Sequence, residues 1–328
     1  MMKKYLSALL AAACIFGSCA ARANDGAAGI GAGGLEFRQS DAVTMEKENL
    51  YISRNSIKVE YVFRNVTTAP VDMYVAFPLP KISMIDALGI SRPNVPDPNN
   101  ANFLDFSTTV NGQPVQMQMQ SKAFVNTQDI TSILTQLGVK FNIPGEQLTK
   151  SLQVINSIEL DKLKAMKAID DDVCGDNACP LWDLETIYYW QQHFEPGVET
   201  KIVHSYRPAT SMFWLSKAEN LVGTKDVRYP SSDPSYAAWC MDDGFWQSIK
   251  KGSSGDIAAG NIKYILLTAN SWKGPIGDFV LTIDKGDPKT LLSLCGNGIK
   301  KTGATTFEIR AKNYRPDKDL DILFVNKL

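Results

Sequence analysis

Acid–base or metal chemistry in this chain has few residues to start from. There are two histidines. His193 and His204 both fall in strand-like runs flanking the turn Glu195-Pro196-Gly197. That spacing lets them face each other, and Glu195 or Glu199 could complete a two-histidine, one-carboxylate metal site. Arg207 would add a cation to such a cleft. A serine–histidine–aspartate relay assembles from distant positions, so spacing does not test it, and nothing nominates its nucleophile. The chain holds no GxSxG, Walker loop or HExxH, and no GxGxxG after a strand. The glycines between Gly29 and Gly34 precede the first clear strand and lack a dinucleotide-binding context. No catalytic residue, cofactor or metal ligand is therefore assigned, and two ordinary strand histidines are the simpler reading.

Aromatic stacking is the other candidate chemistry. The chain has six tryptophans, Trp182, Trp190, Trp214, Trp239, Trp246 and Trp272, all in the C-terminal half. Indoles on a β surface stack on sugars or peptide side chains, although most tryptophans are core. Trp272 sits in a Trp-Lys-Gly-Pro turn, where a large ring has less core to reach. The candidate ligand surface is accordingly Trp272, Lys273, Trp190, His193, His204 and Arg207.

The start of the chain reads as an export leader. Lys3 and Lys4 precede a short apolar run from Leu6 to Phe16, and Ala21-Arg22-Ala23 is a small-x-small cleavage site. Cleavage after Ala23 makes Asn24 the mature N-terminus and predicts a periplasmic or secreted protein. A lipoprotein anchored at Cys19 is the minor alternative, with Phe16 a poor fit to the lipidation box. No later run reaches the ~18 apolar residues of a membrane helix. With a formal charge of −1 and no basic run, nothing points to nucleic acid.

Of six cysteines, Cys14 and Cys19 leave with the leader. Cys174, Cys179, Cys240 and Cys295 remain, an even set that in an exported chain reads as disulfides. Gly175 permits a tight bend that pairs Cys174 with Cys179, leaving Cys240 for Cys295. A cysteine-ligated metal is disfavoured, since there is no CxxC and the histidines lie elsewhere. Asp170-Asp171-Asp172 and Asp176-Asn177 could offer oxygens to calcium, but not at EF-hand spacing. A solvated turn beside a disulfide is the simpler reading.

These residues must be positioned by a mostly β chain. Residues 24–34 are Gly/Ala-rich and predict a flexible entry or a close backbone approach. Ile57, Val59, Tyr61 and Phe63 alternate with polar residues, as do Val71, Met73, Val75 and Phe77 with theirs, the period-two mark of half-buried strands. Asn111-Gly112 predicts a type I′ hairpin between Phe106-Thr108-Val110 and Val115-Met117-Met119. The period then changes. Thr127 could cap a helix carrying Ile130, Ile133, Leu134 and Leu137 and stopped by Gly138, and helical spacing continues from Leu148 to about Ile169. Strands return at 187–190 and 201–207. Asp242 could cap a helix to Lys250. Further strands follow between Asn261 and Cys295, at 307–311 and at 321–325.

The chain resembles the DUF4424 family of exported bacterial proteins, a domain of unknown function. The likeness rests on Gly33-Gly34-Leu35, residues 48–53 (ENLYIS), residues 75–80 (VAFPLP), residues 188–197 (YYWQQHFEPG), residues 204–208 (HSYRP) and the stretch from Asn261 through Cys295 to Phe307-Glu308. The resemblance implies export and a β–helical–β order, and carries no site residues.

The expected fold is mainly β, α+β overall, with two antiparallel sandwich-like regions and a helical insertion between them. The expected organisation is a leader over 1–23, the Gly/Ala entry over 24–34, an N-terminal β region over 35–126, the helical insertion over 127–170 and a disulfide-bearing C-terminal β region over 171–328. The expected function is a non-catalytic binding or envelope-associated module whose partner is an envelope protein or a cell-surface polymer. The alternative is a hydrolase or metal-dependent enzyme using His193 and His204.

Overall fold

In a computed structural model, the structure describes residues 24–31, 34–87, 95–170, 178–215, 239–250 and 257–326. The strands of four residues or more are β1 Gly26–Gly31, β2 Gly34–Phe37, β3 Val43–Ser53, β4 Ile57–Asn65, β5 Val71–Pro78, β6 Ser107–Val110, β7 Gln118–Val125, β8 Asp183–Phe194, β9 Glu199–Tyr206, β10 Ser211–Leu215, β11 Ile257–Tyr264, β12 Ile276–Asp284, β13 Thr306–Tyr314 and β14 Leu320–Asn326. They form a mainly β fold, with shorter strands at several sheet edges.

The first sheet runs β7-β8-β5-β1-β2, and the second runs β13-β12-β3-β4-β9-β6. Period-two alternation decides their inner faces. Val75 and Phe77 of β5 and Tyr188 and Trp190 of β8 meet Val59, Tyr61 and Phe63 of β4 and Ile202 and Tyr206 of β9 in one core. Ring contacts cross the gap, with Phe63 to Phe194 at 6.1 Å and Phe77 to Tyr206 at 5.8 Å between centroids. A third sheet, β10-β11-β14 with Leu291–Ser293, closes one side. Its strand β14 is buried on both faces. Ile322 and Phe324 join the main core, whereas Leu323 and Val325 face a smaller cluster with Trp239 and Ile249. That double burial is why β14 reads as an unbroken apolar run.

Residues of 35–126 and 171–328 share both large sheets. β3 pairs in parallel with β12, and β5 pairs with β8. The connection through Glu195-Pro196-Gly197 carries the chain from the first sheet to the second, and so does the return from β4 to β5 in reverse.

Several local expectations shift. Of residues 24–34, Gly26–Gly31 form a strand: β1 pairs with both β2 and β5, while 32–33 lie outside the described residues. Close approach is what their small residues serve, because a Cβ on Gly26 would lie 2.7 Å from the Phe37 ring. Asn111 and Gly112 take the positive φ of the predicted turn, 52° and 81°. The hairpin itself is short, since only Gln113–Pro114 pairs back before the chain leaves for β7 in the other sheet. Thr127 caps nothing: residues 128–129 pair with β7, and the helix is Thr131–Gln136. Gly138 ends it with φ 73°. Helices Glu146–Gln153 and Ser157–Ala165 follow, burying Leu148, Leu152 and Leu163. Asp242 does cap the Asp243–Lys250 helix, its Oδ1 accepting from the Phe245 amide at 2.7 Å.

Cys240 and Cys295 are joined as a disulfide. Cys179 is buried and disulfide-bonded, and Cys174 lies outside the described residues, as do 171–177 of the aspartate-rich turn. Among the described residues no helix is long and apolar enough to cross a membrane.

Candidate functional site

Polar residues converge at one place inside the sandwich. The chain enters at Asn24 and Asp25, both at 0% exposure, immediately before β1. β3 supplies Glu48, β4 Tyr61, β6 Thr108, β9 His204 and β11 Tyr264, all buried. Register brings them level: Glu48 lies opposite Tyr61, and His204 opposite Thr108.

Glu48 is turned inward by a change of phase in its own strand. Val43 and Met45 face the core, and so do Leu50 and Ile52. Odd positions therefore give way to even ones, which takes one extra residue. A bulge between Met45 and Lys47 provides it, and Glu48 is the first inward position after it.

The hydrogen bonds form two linked groups. In one, Asn24 Nδ2 donates to Glu48 Oε2 at 3.0 Å, and the Tyr61 hydroxyl donates to Asn24 Oδ1. Tyr61 also shares a 3.1 Å hydrogen bond with the Tyr264 hydroxyl. In the other, His204 Nε2 meets Asp25 Oδ1 at 2.9 Å and His204 Nδ1 meets Thr108 Oγ1 at 2.8 Å. Trp272 Nε1 donates to the Asp25 carbonyl at 2.6 Å. Burial lifts the Glu48 carboxyl to about 8, against the lowering pull of Asn24 and with a small push from Asp25. Burial likewise raises Asp25, opposed by the charge and hydrogen bond of His204. The Tyr61 and Tyr264 hydroxyls are pushed far up, first by burial.

Thr108, His204 and Asp25 stand in the hydroxyl–imidazole–carboxylate order of nucleophilic catalysis. The imidazole is nevertheless sealed. Phe77, Phe106, Trp190 and Tyr61 surround it at 4.9, 5.2, 5.6 and 5.8 Å between centroids. The Thr108 hydroxyl is also within 2.8 Å of Met117 Sδ, to which it can donate. In this conformation the relay ties two strands, β6 and β9, to the segment before β1 and is closed off by the surrounding rings.

The residues expected to form a ligand surface separate into two groups. Trp190, His204 and Trp272 are core, at 3%, 0% and 1% exposure. Trp272 escapes its turn because the ring points back under the entering segment, packing on Phe63 at 4.5 Å and Phe194 at 6.2 Å. His193, Arg207 and Lys273 are exposed. His193 bonds to Asp72 at 2.7 Å and Glu195 at 3.1 Å, while Arg207 reaches Asp105 at 3.4 Å. The two histidines do not face each other, because β8 and β9 belong to different sheets and His193 points out where His204 points in. Among the described residues no group of three or more His, Cys, Asp or Glu side chains is set to hold a metal. Trp182 and Trp239 are also buried; the side chains of Trp214 and Trp246 lie outside the described residues.

The outer face of the first sheet carries aromatics that sequence reasoning missed. Tyr74 of β5 and Tyr189 of β8 meet edge to face at 5.9 Å. Gln191 lies opposite Tyr74 and Gln118 opposite Tyr189. Gln191 Nε2 approaches the Tyr74 hydroxyl at 3.4 Å, and Ile30 is 56% exposed on β1. Strand parity was the available signal: inward Val75, Tyr188 and Trp190 force Tyr74, Tyr189 and Gln191 outward.

The family described as a domain of unknown function, DUF4424, matches residues 23–323. The chain belongs to this family. No curated protein matches it. Among solved structures it is similar to a "putative nutrient binding protein" from Legionella pneumophila subsp. pneumophila, at 16% identity and a TM-score of 0.44, over 87% of this chain and 68% of that one.

Proposed function

We propose that this DUF4424 protein is exported to the periplasm and binds a cell-surface polymer without transforming it, using the outer face of the first sheet around Tyr74 and Tyr189. The observation that carries the reading is that tyrosine pair with its neighbouring glutamines. Aromatic faces offer large contact area to the apolar faces of sugar rings, and side-chain amides hydrogen-bond hydroxyls. The one hydroxyl–imidazole–carboxylate relay described is sealed in the core, which favours binding over the hydrolase alternative. The leader with its Ala21-Arg22-Ala23 site supports export. The Cys240–Cys295 disulfide supports an oxidising compartment.

The test is a polymer array probed with the purified mature chain and with a Tyr74→Ala, Tyr189→Ala double variant. Binding that the double variant loses while its melting temperature holds is the expected result. Absence of any bound polymer, or equal binding by the variant, overturns the proposed contact face. Cell fractionation tests the compartment separately.

A further inference from the structure

Among the described residues, two buried carboxyl groups each carry an oxygen without a hydrogen-bond partner. Asp25 Oδ2 and Glu48 Oε1 have no hydrogen-bond partner among the described residues, and both side chains are at 0% exposure. No lysine or arginine forms an ion pair with either among the described residues; His204 alone does so, on Asp25. An unpaired buried carboxylate oxygen is strongly unfavourable unless a cation or donor reaches it. This acidic surplus lies where the chain begins once the leader is removed.

We propose that the missing cation is the α-ammonium of Asn24, created by cleavage after Ala23, and that the core reaches full stability only in the processed chain. Asn24 Nδ2 already holds Glu48 Oε2 at 3.0 Å. The α-nitrogen of the same residue is four covalent bonds from Nδ2 and within about 5 Å of it, so it belongs to the same buried cluster. In the uncut chain it is a neutral amide with one hydrogen. Hydrolysis by a leader peptidase consumes one water: Ala23 departs as a carboxylate, and Asn24 keeps a protonated amine with three donors. That group supplies both the charge and the hydrogens that Glu48 Oε1 and Asp25 Oδ2 lack. The proposal rests on the export reading and deepens it, since processing then completes the fold.

The experiment compares a chain beginning at Asn24 with one that retains Ala21-Arg22-Ala23, each with and without Glu48→Gln. The processed form is expected to melt about 3–6 °C higher near pH 6. With Glu48→Gln that gap should shrink by at least about half. Equal melting of the two wild-type forms, or a gap that Glu48→Gln leaves unchanged, overturns the proposal. The pH dependence is a second readout. In the extended form Glu48 titrates near 8, so stability should fall as pH rises from about 4.5 to about 8. The processed form should show a smaller fall. Asp25, Tyr61, Tyr264 and Tyr314 are the titratable groups facing Glu48. An equal fall in both forms counts against the proposal. Intact mass of the protein from an exporting cell separates the two readings. A start at Asn24 supports both. A start elsewhere, including a lipidated Cys19, overturns the ammonium pairing alone, and an uncut cytoplasmic chain overturns export as well.

Discussion

Trp272 Nε1 donates to the backbone carbonyl of Asp25 at 2.6 Å, joining residues 247 apart in sequence. The indole therefore does two things at once. It fills the core against Phe63 and Phe194, and it fixes the entering chain where Asp25 can reach His204. Trp272→Ala should lower the unfolding free energy by about 3–5 kcal/mol. Trp272→Phe keeps much of the ring but leaves the Asp25 carbonyl without its donor, and should lower it by about 1–3 kcal/mol. Urea melts of the two variants check the order. A loss under about 1 kcal/mol for Trp272→Ala would mean the ring is a surface contact.

His204 and Asp25 form a buried pair that is sensitive to removal of one partner. His204→Ala leaves Asp25 Oδ1 in the core without its partner, and should destabilise by roughly 3–5 kcal/mol. His204→Ala combined with Asp25→Ala should be less harmful than the sum of the single changes. The coupling energy from a double-mutant cycle measures this. Simple additivity would show that the relay is not an energetic unit.

Much of the frame was legible in the sequence because inner faces follow period two. Ile57-Val59-Tyr61-Phe63 lines the core as its alternation implies. Sheet membership was not legible. Consecutive strands such as β4 and β5, or β8 and β9, sit in opposite sheets, and a proline-containing turn looks the same whether it makes a hairpin or a crossing. That is why spacing alone lets His193 and His204 face each other. The polar nexus was hidden for a different reason. Asn24 and Asp25 adjoin a Gly/Ala-rich stretch with little side chain to pack, yet the small residues let the backbone pass under Trp272 and Phe37. Glu48 left a trace, since Val43-Met45 and Leu50-Ile52 lie out of phase, and that mismatch marks a bulge.

His193 offers a pH-dependent test at the surface. Its hydrogen bond to Asp72, followed by that to Glu195, raises its pKa above the usual 6.5. A raised folded value means that these contacts stabilise the protein fully below the unfolded pKa. The contribution fades as pH rises through the folded one. Titration of His193 followed by nuclear magnetic resonance should place its midpoint above that of a free histidine. Asp72→Asn should lower that midpoint more than Glu195→Gln does. An unchanged midpoint in Asp72→Asn would show that the ion pair does not form in solution.

The Cys240–Cys295 bridge spans 55 residues. It ties the Trp239 region to the edge beside Leu291–Ser293, where Ser293 Oγ donates to the Trp239 carbonyl at 2.7 Å. On the chain-entropy account, closing a loop of that length stabilises by about 4 kcal/mol. A Cys240→Ser, Cys295→Ser variant should show that loss in denaturant melts. A loss below about 1 kcal/mol would mean the local hydrogen bonds already hold the segment.

Gly277 tests the bulge that turns Glu48 inward. It is the second residue of β12, which pairs with β3, and a Cβ built there would lie 2.7 Å from the Glu46 backbone carbonyl. Glu46 is the extra residue of the bulge, between Met45 and Lys47. Nothing flexible lies in the way, so the clash falls on the backbone that sets the phase of β3. Gly277→Ala should therefore cost about 1–3 kcal/mol, more than its helix- or strand-propensity gain can offset. It should also disturb Glu48. Amide exchange at Lys47, Glu48 and Asn49 should quicken in the variant, while amides of β8 in the other sheet stay protected. If Gly277→Ala melts like the parent and exchange near Glu48 is unchanged, the close approach of β12 is not what holds the bulge.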